Sequence, residues 1–120
     1  MKKLRIVTAH LTVLLGIVHV SCAPLFYHGL TLSALWYVGA GLALVFLGFM
    51  NVLLPSVEPK CATFAGAIVA NAVALAFAGA LAWVLRSPPA LIAVVLTAIL
   101  FVGALQRPAR VAAGAGKGQS

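Results

Sequence analysis

Negative charge is nearly absent from this chain. Its 120 residues include one acid, Glu58, and charged residues of either sign make up 8%. A water-soluble domain of this length needs far more charge to cover its surface. No Asp, Glu, Lys or Arg occurs from Ile6 to Val57, from Cys61 to Leu85 or from Ser87 to Gln106. No carboxylate therefore stands in any apolar run. That counts against proton-coupled cation export, the chemistry of the small multidrug exporters, which share only a helix count with this chain. Cysteine is scarce too. Cys22 and Cys61 are expected at opposite ends of the molecule, most of a ~30 Å hydrocarbon layer apart, beyond the reach of a disulfide. The net charge of +7 sits in short flanks beside apolar runs, not in a patch on a folded face. It points to no nucleic acid but to lipid headgroups.

What is present is hydrocarbon, 64% of all residues. A helix needs ~20 apolar residues to cross a bilayer. The first uncharged run holds two such helices and a turn, and the other two hold one each. The spacing predicts an all-α, polytopic membrane protein: four transmembrane helices at 4–23, 33–54, 61–85 and 90–106, in an up-down bundle over 1–108. Pro24 ends the first helix and Ser33 caps the second. Pro55 and Pro59 bracket the next turn. Ser87 caps the fourth helix with Pro88 at its first position, and Pro108 ends it. The Gly- and Ala-rich tail, 109–120, is expected to be disordered. The N-terminus, Met1-Lys-Lys-Leu-Arg5, has the look of a signal peptide. The apolar run outlasts one, however, and Pro24 follows the small residues Ser21-Cys22-Ala23.

An even number of spans puts both termini on one side. With the N-terminus inside, Lys2, Lys3, Arg5, Lys60, Arg107, Arg110 and Lys117 are cytoplasmic and only Arg86 is outside. The positive-inside rule selects that orientation. Tyr27, Trp36, Tyr37 and Trp83 then gather at the outer interface, where amphipathic rings settle. The expected location is the inner membrane of a bacterium, with anionic headgroups bound on the cytoplasmic side.

Side chains capable of specific chemistry cluster between Leu15 and Tyr37: His19, Cys22, His28, Trp36 and both tyrosines. Thr8, Thr12, Gly16 and His19 share a narrow arc of the first helix, with His10 opposite. That arc reads as a packing face, or as the wall of a pocket ending at His19. His10 and His19 differ in depth and phase, so they cannot share a haem iron within one chain. His19, Cys22 and His28 at the outer surface match no standard metal spacing and lack a fourth ligand. Gly41 and Gly48 mark a packing face of the second helix. Asn71 lies near mid-membrane, where an amide must find a partner. On the third helix Ala62, Gly66, Ala70, Ala74, Ala78 and Ala82 recur every four residues. This ladder is expected to face protein, either Gly41 and Gly48 or its own copy in a second chain. The fourth helix, aliphatic nearly all round, is expected to be the most exposed to lipid.

The run Gly16-Ile-Val-His19, the proline at 24 and a second helix opening Leu35-Trp36-Tyr37 with glycines after it together resemble the DoxX-like four-helix membrane proteins. The resemblance covers roughly the first half of the chain. It implies a small helical bundle, and some relatives in that group are membrane subunits associated with quinone-linked sulfur oxidation. It carries over no catalytic residue.

Three readings follow. The leading one is a structural or accessory membrane subunit without a catalytic centre or cofactor, in a homo-oligomer or a larger membrane complex. The second is a redox-associated subunit binding a quinone or metal near the outer ends of the first two helices, through His19, His28 and Tyr37. The third is a small transporter.

Overall fold

The computed structural model describes residues 2–56 and 61–117, with side chains over 2–56 and 62–106. Four α-helices follow in order: α1 (Lys2–Phe26), α2 (Leu32–Leu53), α3 (Cys61–Leu85) and α4 (Pro88–Lys117), with a 3-10 turn at Leu54–Ser56 closing α2. All four are long and apolar enough to cross a membrane. At 1.5 Å rise per residue, the 25 residues of α1 extend about 37 Å, enough for the ~30 Å hydrocarbon layer with a turn to spare.

The helix ends depart from expectation at three points. The cap of α2 is Thr31, not Ser33. Its hydroxyl oxygen accepts from the Ala34 amide at 3.1 Å, the usual reach from cap to third helical residue. α1 runs through Pro24 to Phe26, because a proline in the last turn forfeits one bond without unwinding what precedes it. α4 likewise passes Pro108 and stays helical to Lys117. Arg110, Ala112 and Ala113 are good helix formers and extend a helix already nucleated. The expected disordered tail is thus corrected over 109–117, and 118–120 lie outside the described residues. So do Glu58, Pro59 and Lys60, within the second turn. The third turn is as expected, with Pro88 opening α4 and the Ser87 carbonyl accepting from the amides of Ala90 and Leu91. Before it, Arg86 takes a left-handed φ of 46° while its amide donates to the Ala82 carbonyl, which stops α3.

α1 packs along α2, and α3 along α4. α1 against α4 joins the two hairpins, and α2 meets α3 only sparsely. The centre is Ala9, Leu47 and Leu100, with Met50, Val52, Ala70 and Ala74 around them. All four helices contribute. Apart from Leu54 and Leu96, the remainder of the buried interior is small or polar, and Thr12, Asn51, Asn71 and Thr97 are fully buried. The large apolar side chains, among them Leu14, Ile17, Phe46, Val73 and Phe77, face outward. This is the packing expected of helices in lipid. Tails outside are as apolar as leucine, so close backbone approach and polar pairing hold the helices together.

The roles expected of α3 and α4 are reversed. Only 11% of the most apolar window of α3 is buried, against 33% for α4, which buries Leu96, Thr97, Leu100 and Ala104. A strict four-residue repeat drifts by about 40° per step around a helix of 3.6 residues per turn, so the ladder spirals. Ala78 is buried and Ala70 and Ala74 are half-buried, whereas Ala62 and Gly66 are exposed. A methyl group added at Gly66 would meet nothing within 4 Å. Gly66 is therefore not a packing residue within this chain.

Candidate functional site

Two glycines of α2 and one of α1 determine how closely these helices approach. A Cβ on Gly16 would lie 2.6 Å from the Gly41 carbonyl oxygen, and one on Gly48 2.8 Å from the Ala9 carbonyl oxygen. Neither neighbour is a movable side-chain tip, so the seam requires glycine at both places. Gly41 serves the same seam. Its missing Cβ would sit 2.6 Å from Val20 Cγ2 and 3.1 Å from His19 Cδ2. The Gly41 and Gly48 face thus meets α1, not the ladder of α3.

The space beside Gly41 admits an aromatic cluster where the end of α1 meets the start of α2. The rings of His19 and Tyr37 stack with centroids 3.9 Å apart and planes 18° from parallel. Tyr27 and Phe26 tilt against Tyr37 at 5.5 and 5.9 Å, within the range of favourable aromatic pairs. His19 and Tyr37, both expected site residues, are brought together. His28 is not. It lies exposed in the loop between the helices, and no ring contact among the described residues involves it. Cys22 is half-buried and free, whereas the side chain of Cys61 lies outside the described residues. Among the described residues no three His, Cys, Asp or Glu side chains gather as metal ligands. The cluster offers flat apolar faces with a phenol and an imidazole at their edges. Those groups can stack on a planar ring and hydrogen-bond its oxygens.

Deeper in, polar groups bond to one another or to backbone. Asn51 Nδ2 donates to Asn71 Oδ1 at 3.0 Å, and Asn71 Nδ2 returns a bond to Asn51 Oδ1 at 3.2 Å. Each amide also donates to the carbonyl one turn before it, Leu47 at 2.9 Å and Ala67 at 2.8 Å. All four N–H groups are thereby used in a site closed to water. Thr8, Thr12 and Thr97 donate to the carbonyls of Leu4, Thr8 and Ala93. The sequence asks for a partner to Asn71 but does not name Asn51 as that partner. The available signal was that the chain's only two asparagines flank one turn. The pair also sets the rotation of α3. Asn71 must face α2, and that turns Gly66 outward.

Arg5 was expected in a basic flank at the lipid headgroups, but it is buried. Its stem lies against α4, where a Cβ on Gly103 would come 2.9 Å from Arg5 Cδ. Between α1 and α4, Leu11, Leu14, Leu15, Val18, Ile92 and Leu96 line a groove of about 260 Å³. It is aliphatic throughout and offers no group for chemistry.

Fold and site together define an all-helical protein with four candidate membrane spans, a glycine seam, an amide clasp and an aromatic cluster at one end. No family model, curated protein or solved structure matches the chain.

Proposed function

We propose that this is a multi-pass protein of a bacterial inner membrane, serving as a structural or accessory subunit without a catalytic centre of its own. The observation that carries this reading is how the interior polar groups are used. The asparagines bond α2 to α3 and the threonines bond to carbonyls of their own helices, so the bonds these groups make are structural. Charge asymmetry supports an orientation with both termini and the α2–α3 turn in the cytoplasm, facing anionic headgroups. The test is native electrophoresis of membranes solubilised in mild detergent, with a visible spectrum of the purified chain. The expected result is co-migration with a stoichiometric membrane partner and no chromophore. Stoichiometric haem, metal or quinone would overturn it. A reporter fused after Ser120 is expected to be active only as a cytoplasmic fusion.

The stack of His19 on Tyr37 favours one second reading, a redox-associated subunit that binds a quinone at the outer ends of α1 and α2. A quinone ring would lie against Tyr27 and Phe26, with the imidazole and phenol on its oxygens. His28, expected to share this site, has no part in the arrangement. Under this reading, His19→Ala abolishes quinone co-purification while the protein stays inserted. Unchanged quinone content in that variant would exclude a site at His19.

A further inference from the structure

The exposed face of α1 carries Lys3, Val7, His10, Leu14, Ile17 and Ser21, every one exposed, with Leu14 at the rim of the α1–α4 groove. Their steps alternate between four and three residues. This is the 3.5-residue seam along which two helices pack with a left-handed twist. It lies opposite the buried arc of Thr8, Thr12 and Gly16. Five members need no special explanation in lipid. Lys3 is at the helix end, Ser21 donates to the Ile17 carbonyl at 2.9 Å, and the other three are aliphatic.

His10 is the exception. Its Nδ1 lies 2.7 Å from the Ile6 carbonyl oxygen. A carbonyl only accepts, so Nδ1 carries the proton and Nε2 is left as an acceptor. His10 stands about 10 Å along the helix from Lys3, inside an uncharged span, on a side chain too short to reach the headgroups. Ionisable side chains in spans almost always face protein or a water-filled cavity, and a lone acceptor in hydrocarbon is costly. Among the described residues nothing bonds to Nε2.

We propose that this seam is where a second copy of the chain packs, parallel and across a two-fold axis, with His10 fixing the register. A second copy inserts in the same direction and so carries an imidazole at the same depth. In a two-fold interface, residues near the axis meet themselves. One ring moves its proton from Nδ1 to Nε2, giving up its own bond to the Ile6 carbonyl, and donates to Nε2 of the other. Both rings stay neutral: one bond within a helix is exchanged for one between chains, and one lone acceptor is left in lipid where there were two. Val7, Leu14 and Ile17 provide the packing on either side. A single polar residue in an apolar seam is a known means of selecting register and oligomeric state. The exposed face of α3, with Val69, Val73 and Phe77, has no polar group that calls for a partner, and lipid suffices there.

The test uses the full chain with Cys22→Ser and Cys61→Ser, carrying single cysteines in place of Leu14, Ile17, Phe46 or Val73, cross-linked in intact membranes with a short bifunctional maleimide. Cysteines at 14 and 17 are expected to yield covalent dimers at least tenfold faster than those at 46 and 73. Adding His10→Leu should cut the 14 and 17 products at least fivefold while the yield of folded protein is kept. His10→Asn, which both donates and accepts, should retain them. Equal rates at all four positions, products unaffected by His10→Leu, or linkage of the Leu14 cysteine to a different protein would each overturn the proposal.

Discussion

The seam of α1 with α2 and the seam of α2 with α3 hold by opposite means. The first is long, and its backbones approach so closely that Gly16 and Gly48 each leave no room for a methyl group. The second is sparse along its length and concentrated in one reciprocal amide pair. Within a bilayer both are workable, because there is no hydrophobic force to gather helices and each contact must bring its own attraction. Dispersion over a long flat seam is tolerant of chemistry and intolerant of volume. A lone amide pair is tolerant of volume and intolerant of chemistry.

Volume should break the first seam most severely. Gly48→Ala or Gly16→Ala forces α1 off α2 and is expected to cost about 3 kcal/mol, the upper part of the overpacking range, read as reversible unfolding in mixed micelles. Gly66→Ala, equally helical and open on all sides, should be neutral within the same assay. A loss at Gly66 as large as at Gly48 would show that α3 is packed on that face.

Chemistry should break the second. Asn71→Ala leaves the Asn51 amide facing hydrocarbon and is expected to cost about 1–2 kcal/mol, the range for polar contacts between membrane helices. The pair Asn51→Leu with Asn71→Leu should recover part of that loss, because no polar group is then stranded. A double-mutant cycle on the two asparagines measures the coupling directly. Additive single effects would mean that the amides act separately on their own helices.

The smallest effect is a gain. Arg86 holds a left-handed backbone conformation that a side chain disfavours by about 1 kcal/mol. Arg86→Gly is therefore expected to stabilise the α3–α4 pair by up to that amount without touching either of the other seams. Destabilisation in the same unfolding measurement would indicate that the Arg86 side chain makes a contact worth more than the strain.

The number of spans and the positions of their turns were legible from the sequence, because charge gaps and prolines act locally. Pro88 opens α4 for a reason contained within four residues. Gly16, Gly41 and Gly48 could be marked as packing residues, although not which helix they served. His19 and Tyr37 could be named as candidates, since both lie a short way along the chain from one loop. The rotation of α3 was not legible. Alanine repeats look alike from every side, and only the bond from Asn71 to a residue on another helix selects one face. The burial of Arg5 was equally hidden. A charge next to a span reads as solvated unless a distant glycine, here Gly103, makes room for its stem. The cap at Thr31 was a near miss between two hydroxyls two residues apart.

The glycine seam also bears on how the chain is made. Ribosomes add roughly 5–20 residues per second, so α1 and α2 are both complete several seconds before α4 leaves the ribosome. Their contact needs nothing from the later half: Gly16, Gly41, Gly48, Ala9 and Val13 all lie before residue 50. The first hairpin can close in the membrane while the second is still being synthesised. It then presents Asn51 as a fixed polar landmark in an otherwise featureless slab. α3, with little else to orient it, docks by finding that landmark with Asn71. Order of synthesis thus assigns the two seams different tasks, one building a template and the other reading it.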